Sequence, residues 1–150
     1  MQRNYADAIT RAEFCRMGVR FLEYALDKSI DDILAERGLS RDPDVFSDTS
    51  DLYILAAYAL GITNGTGNNH FTPNGQITRQ QVARMLINVC KVLGMDVKNA
   101  PQSGFADMDK AADWAVDGIN FCYASGIMQG TGNNNFSPRA TYSRQQSTSV

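Results

Sequence analysis

The chain has 150 residues, 43% of them hydrophobic, and a formal charge of −2. That length allows one ordinary domain with a real core, and the apolar content argues against a disordered chain. The near-neutral charge offers no broad basic surface, so nucleic acid is not an expected partner. No apolar run approaches the roughly eighteen residues of a membrane span, so no membrane insertion is expected. No signal peptide is visible, which carries little weight because the chain opens inside a repeat. The three cysteines, Cys15, Cys90 and Cys122, are odd in number and far apart. Their spacing matches no metal site, and Cys15 and Cys90 fall on apolar helix stripes as small hydrophobes.

Taken in order, Thr10 with Glu13 reads as a capping box, and Ile9 with Phe14 as its hydrophobic staple. Phe14, Met17, Phe21, Leu22 and Leu26 form a helical stripe, predicting a helix over 11–26. A shorter helix starts near Ser29, buries Ile30, Ile33 and Leu34, and stops at Gly38. Phe46-Ser47-Asp48 opens the next unit. Asp48, Ser50 or Asp51 is positioned to cap a helix that runs to Leu60, with Leu52, Leu55, Ala56 and Ala59 on its buried face. Gly61 ends that helix, and a glycine-rich loop follows to Gln76. Thr78 and Gln81 form a second capping box. Val82, Met85, Leu86, Val89, Cys90 and Leu93 then keep helical spacing as far as Gly94. Phe105-Ala106-Asp107 repeats the earlier opening. The helix after it carries Trp114, Ala115, Ile119 and Cys122 and stops at Gly126. A second loop leads to Ser143 and Gln146, a third capping box.

Self-similarity organises all of this. The nineteen residues from Gly61 to Arg79 recur from Gly126 to Arg144, with ten identities at an offset of 65. Ile9-Thr10-Arg11 is a third, partial copy. Such recurrence means one structural unit used several times.

Phe-x-Asp, a helix with Ala or Trp-Ala, Gly-Ile-x-x-Gly-x-Gly, Phe-x-Pro and Ile-Thr-Arg-x-Glu/Gln together closely resemble the S-layer homology repeat. The resemblance covers nearly the whole chain. It implies an all-α fold, a pseudo-threefold array of helix-loop-helix repeats around a central helical bundle. It divides the chain into a partial repeat over 1–45, a second repeat over 46–104 and a C-terminally cut third over 105–150. It also implies an extracellular, non-catalytic module that moors a larger protein to the cell wall. Such modules hold an acidic secondary cell-wall polysaccharide, often pyruvylated, in grooves between repeats. The alternative is a protein–protein or S-layer lattice module that binds no glycan. Further domains of the same protein are expected; no cofactor is.

The residues carry a functional signal without the family. Arg11, Arg79 and Arg144 each follow a cap, at the first helical position. A cation there opposes the helix dipole, so helix stability alone favours Asp, Glu or Pro. Unpaired N–H groups at a helix start attract anions, and a guanidinium adds a fork matched to carboxylates. The competing reading pairs each arginine with an aspartate of a neighbouring repeat, Asp48 or Asp107. Those aspartates are themselves candidate helix caps or ligand contacts. Trp114 is either a sugar-stacking platform or a core residue. Asn64-Gly65 and Gln129-Gly130, at equivalent loop positions, complete the candidate polysaccharide contacts.

Other chemistries fit poorly. Gly65-x-Gly67 follows a helix rather than a strand and lacks a Walker lysine. Residues 61–77 contain no Asp or Glu for calcium. His70 has no nucleophile or acidic partner beside it in any recognisable motif, so no catalytic site is expected.

Overall fold

The computed structural model describes residues 7–144 and 146. Among the described residues it is all-α. The helices are α1 (Arg11–Leu26), α2 (Ile30–Glu36), α3 (Leu52–Ala59), α4 (Arg79–Val92) and α5 (Val116–Ala124). Short 3-10 turns at Met108–Lys110 and Asp113–Ala115 precede α5. The chain divides into two compact units.

The unit formed by Thr10–Gly75 and Asn88–Met95 holds α1, α2 and α3, which pack on one another. Thr10 and Glu13 form the capping box at the start of α1, each side chain bonding the other's backbone N–H. Asp27, in left-handed conformation at φ 52°, ends the helix. Ser29 caps α2. Of the three candidate caps for α3, Asp51 is the one used: its carboxylate accepts the N–H of Tyr53 and Ile54. Asp51 also pairs with Arg16 at 3.0 Å. The inner face of α1 consists of Arg11, Phe14, Cys15, Val19 and Leu22. Met17 and Phe21, expected on that face, are 41% and 53% exposed. On α3 the burial lies at Ile54 to Ala57, and Leu52 points outward. The expected stripes were therefore rotated: both helices have apolar residues on two faces, and periodicity alone does not choose between them.

The other unit comprises Met1–Ile9, Gln76–Ile87 and Asp96–Val150. The second capping box is present, Thr78 with Gln81, and so is the third, Ser143 with Gln146. The helix expected to follow Ser143 lies mostly outside the described residues. The helix expected to carry Trp114 begins at Val116, leaving Trp114 on the preceding 3-10 turn, 47% exposed. The core-residue reading of Trp114 is thereby overturned. Ile9, Ile77, Val82, Ile119, Phe136 and Tyr142 are fully buried here. Gly118 of α5 lies against the backbone of α4: a Cβ on it would stand 2.7 Å from the Ala83 carbonyl oxygen.

The residues before the three caps close a ring in this unit. Ile77 N–H donates to the Ile9 carbonyl (3.0 Å), Tyr142 N–H to that of Ile77 (2.8 Å), and Ile9 N–H to that of Tyr142 (2.9 Å). Each residue gives one bond and takes one, a closed three-membered arrangement without an edge.

Cys15, Cys90 and Cys122 are free and buried. Burial pushes the Cys15 thiol up to about 12, so it is inert at neutral pH.

Candidate ligand-binding site

Each loop copy reaches its conformation the same way. Asn68 and Asn69 in the first, and Asn133 and Asn134 in the second, take positive φ, which Asn tolerates. So do Thr72 (φ 59°) and Ser137 (φ 58°), residues that rarely do, and strain of this kind needs support. The support is an aspartate. Asp48 accepts the N–H of Phe71 at 2.8 Å and of Thr72 at 2.9 Å. Asp107 accepts the N–H of Phe136 at 2.9 Å and of Ser137 at 2.8 Å. A hydroxyl pair, Thr66 with Thr72 and Thr131 with Ser137, closes each turn. Neither aspartate acts through its side chain as a helix cap; that expectation is corrected, and both carboxylates serve as loop clamps instead.

The clamps hold the two carboxyls below the ordinary range. For Asp48 the Phe71 N–H is the main cause. For Asp107, burial pushes upward most strongly, but the two N–H bonds and its own backbone outweigh it.

The clamped loop aims a carbonyl at an arginine. Arg11 Nε donates to the Phe71 carbonyl at 2.8 Å, and its guanidinium lies 4.8 Å from the Phe71 ring centroid. Arg79 Nε donates to the Phe136 carbonyl at 2.9 Å, with the guanidinium 4.6 Å from that ring. Arg79 Nη2 also donates to the Gln129 carbonyl. Both arginines are buried, and burial lowers both pKa values, with the nearby aspartates pulling the other way. Arginine remains charged regardless. The aspartate-pairing reading is thus modified: the direct partners are loop carbonyls, and the carboxylate acts one step behind them. Each arginine also reads the loop that follows it in sequence, not the one before. The two loop copies in this sequence are taken by Arg11 and Arg79. Arg144 donates its backbone N–H to Asp7.

Beside Arg79 lies a cavity of about 240 Å³. Its lining includes Arg79, Gln129, Gly130, Tyr142 and Gln146. Three expected contacts meet here: Arg79, Gln129 and Gly130. Asp107 stands behind the wall, through Phe136. Trp114 lies outside the lining, and its carbonyl accepts Arg84 Nη1 at 2.6 Å. In the other unit Arg11 and Asp48 meet through Phe71, and Asn64 and Gly65 hold the sequence positions equivalent to Gln129 and Gly130. There, among the described residues, Arg11 makes no second bond like that of Arg79 to Gln129.

Tyr142 and Gln146 were missed from the sequence as lining residues. Tyr142 stands where Ile77 and Ile9 stand in the other copies, and that departure was the available signal. Burial pushes the Tyr142 hydroxyl up to about 12 against the pull of Arg79, so it stays protonated. It donates to the Gln146 carbonyl at 3.0 Å. The described lining of the cavity therefore brings together one cation, a tyrosine, amide groups and the apolar Ile127 and Met128. Among its described lining residues there is no nucleophile–base pair. Among the described residues no cluster of His, Cys, Asp or Glu could hold a metal.

Comparison with known proteins identifies the family. The model of the S-layer homology domain matches residues 43–83 and 104–146, more than half of the chain. The S-layer protein sap of Bacillus anthracis is 30% identical over 139 residues, 92% of this chain and 16% of the relative. A cell surface protein of Thermoanaerobacter kivui is 37% identical over 91 residues, 58% of this chain and 11% of its own. An endoglucanase of Bacillus sp. (strain KSM-635) is 32% identical over 98 residues, 65% of this chain and 10% of the enzyme. The chain thus spans about a tenth to a sixth of the length of these relatives. The matched segments span both Phe-x-Asp openings, both loop copies and Arg79, and the chain belongs to the S-layer homology domain family.

Proposed function

We propose that the chain is a non-catalytic anchoring module that binds an acidic cell-wall polysaccharide, with Arg79 as the anion contact. The family places it at the cell surface, and no helix among the described residues is long and apolar enough to cross a membrane. The observation that carries the reading is a buried guanidinium on a cavity wall. Arg79 uses Nε and Nη2 on loop carbonyls, and among the described residues Nη1 has no protein hydrogen bond. A guanidinium fixed at two positions and unfilled at a third is a preorganised donor for a carboxylate. Gln129 and Gly130 supply backbone groups beside it, suited to sugar hydroxyls. The same features support a division into repeats at 1–45, 46–104 and 105–150, each arginine serving the boundary to the next loop. That relatives include S-layer and cell-surface proteins and an endoglucanase fits a mooring role shared by proteins of different activities.

The test is best made on the ligand, because Arg79 also holds the fold. Purified wall polysaccharide is offered to the intact protein before and after its pyruvate ketal is removed by mild acid. A charge-assisted contact of about 1.5–3 kcal/mol predicts a ten- to hundredfold loss of affinity on removal. Equal affinity for both forms overturns the acidic-ligand reading. Binding to neither form, together with self-association, supports a lattice role instead.

A further inference from the structure

A second cavity, of about 710 Å³, opens beside the first. The two share Gly126, Met128, Gln129 and Gly130, so they are parts of one depression separated by the Gln129–Gly130 backbone. Gly130 lets that backbone pack closely on its neighbours: a Cβ there would come within 2.8 Å of the Phe105 ring and 2.7 Å of the Asn135 carbonyl oxygen. On the far side stands Tyr123, 45% exposed. Its ring is held against Phe105 at 4.7 Å and 60°, and Phe105 rests on Phe136 at 5.4 Å. Asn134 and Asn135 of the loop face the same space. No lining residue of this cavity is charged. The same pair recurs in the other loop copy, where Tyr58 meets Phe46 at 5.5 Å and 77°, again partly exposed. Tyr58 and Tyr123 are 65 residues apart, the period of the repeat.

A half-exposed aromatic ring braced by Phe105, flanked by amides and with no charge in its described surroundings, has the chemistry of a neutral sugar site. Its apolar face matches the C–H face of a pyranose, and amides match hydroxyls. We propose that Tyr123 is the platform of a second saccharide subsite, which takes a neutral sugar of the same polymer next to the acidic unit at Arg79. The proposal rests on the wall-polysaccharide reading above and adds a direction to it: the polymer crosses the Gln129–Gly130 ridge, from cation to aromatic ring. It also assigns the stacking role to Tyr123 rather than to Trp114.

The experiment compares two defined probes, a pyruvylated hexose methyl glycoside and a trisaccharide in which the same pyruvylated unit is followed by two neutral sugars. Calorimetry is run on the wild type, Tyr123→Ala, Tyr123→Phe and Arg79→Lys. The trisaccharide should bind the wild type about two- to tenfold more tightly than the monosaccharide, the range for one stacked ring. Tyr123→Ala should lose that gain and leave the monosaccharide unaffected, whereas Tyr123→Phe should keep it. Arg79→Lys should weaken both probes. Proton NMR should show upfield ring-current shifts on a neutral sugar unit with the wild type and not with Tyr123→Ala, a signature that loss of packing alone does not give. An undiminished trisaccharide gain in Tyr123→Ala overturns the subsite while leaving the acidic site standing. No binding of either probe to the wild type overturns both.

Discussion

At the scale of single residues, the site depends on a relay from Asp107 through the Phe136 loop to Arg79. The arginine was legible in the sequence because a cation at a helix start opposes the dipole, and a disfavoured choice made three times asks for a cause. Its partners were not legible. They lie 57 and 50 residues away, at backbone carbonyls that carry no side-chain signature. The relay also changes what a substitution at Arg79 should do. Helix propensity and the dipole alone argue that Arg79→Ala would leave the fold intact or improve it. With two loop carbonyls and the Phe136 ring resting on the guanidinium, the alanine variant should instead melt earlier, so its binding defect mixes two causes. Asp107→Ala is predicted to orphan two N–H groups at about 1–3 kcal/mol each and to weaken ligand binding, although Asp107 is absent from the cavity wall. Unchanged thermal unfolding in that variant would sink the relay. The pH dependence has a definite sign. Asp48 and Asp107 have folded pKa values below their unfolded ones. Their stabilisation is thus fully present above about pH 4, the unfolded value, and is lost as pH falls through the lower folded values. The melting temperature should drop on acidification below pH 4, and less steeply in Asp107→Asn, measured by circular dichroism.

At the scale of elements, sequence reading placed helix starts well and helix faces less well. Starts were legible because a capping box is a local device, four residues wide, with its own side-chain chemistry. Faces depend on what the rest of the chain covers. On α1, the buried Arg11 belongs to the inner face, and a reading that sends charges outward loses that anchor. Met17→Gln and Phe21→Gln should change stability by no more than about 0.5 kcal/mol, as surface substitutions do. Leu22→Ala should cost about 2–5 kcal/mol. The reverse ranking in urea unfolding would restore the stripe expected from spacing. Gly118 gives a second contrast. Alanine is the better helix former by about 1 kcal/mol, so propensity predicts a gain. The Ala83 backbone at 2.7 Å from the added Cβ predicts the opposite, an overpacking loss of about 1–3 kcal/mol, because neither α4 nor α5 can yield at backbone level. Thermal unfolding of Gly118→Ala decides between propensity and packing.

At the scale of the molecule, the repeat produces closure. The all-α fold was legible from the period of the repeat, but the ring of Ile9, Ile77 and Tyr142 was not, because three segments up to 133 residues apart meet through backbone groups alone. The ring bears on function because Tyr142 belongs to both structures. Its N–H and carbonyl are committed to Ile77 and Ile9, and its side chain lines the Arg79 cavity. Two variants separate the contributions. Ile9→Ala removes a side chain that is 1% exposed and leaves the backbone ring, at about 2–5 kcal/mol. Deleting residues 1–9 removes the side chain and opens the ring, leaving the Ile77 N–H and the Tyr142 carbonyl without these partners. The deletion should therefore be less stable than Ile9→Ala, and the gap between them measures the backbone closure together with what residues 1–8 add. It should also bind acidic polysaccharide more weakly, even well below its own melting temperature, because Tyr142, at the cavity, then loses one of the two backbone bonds of the ring that hold it. Ile9→Ala, with the ring intact, should bind normally under the same conditions. If both variants bind alike despite different stabilities, Tyr142 is positioned by its own packing, and the ring serves stability alone.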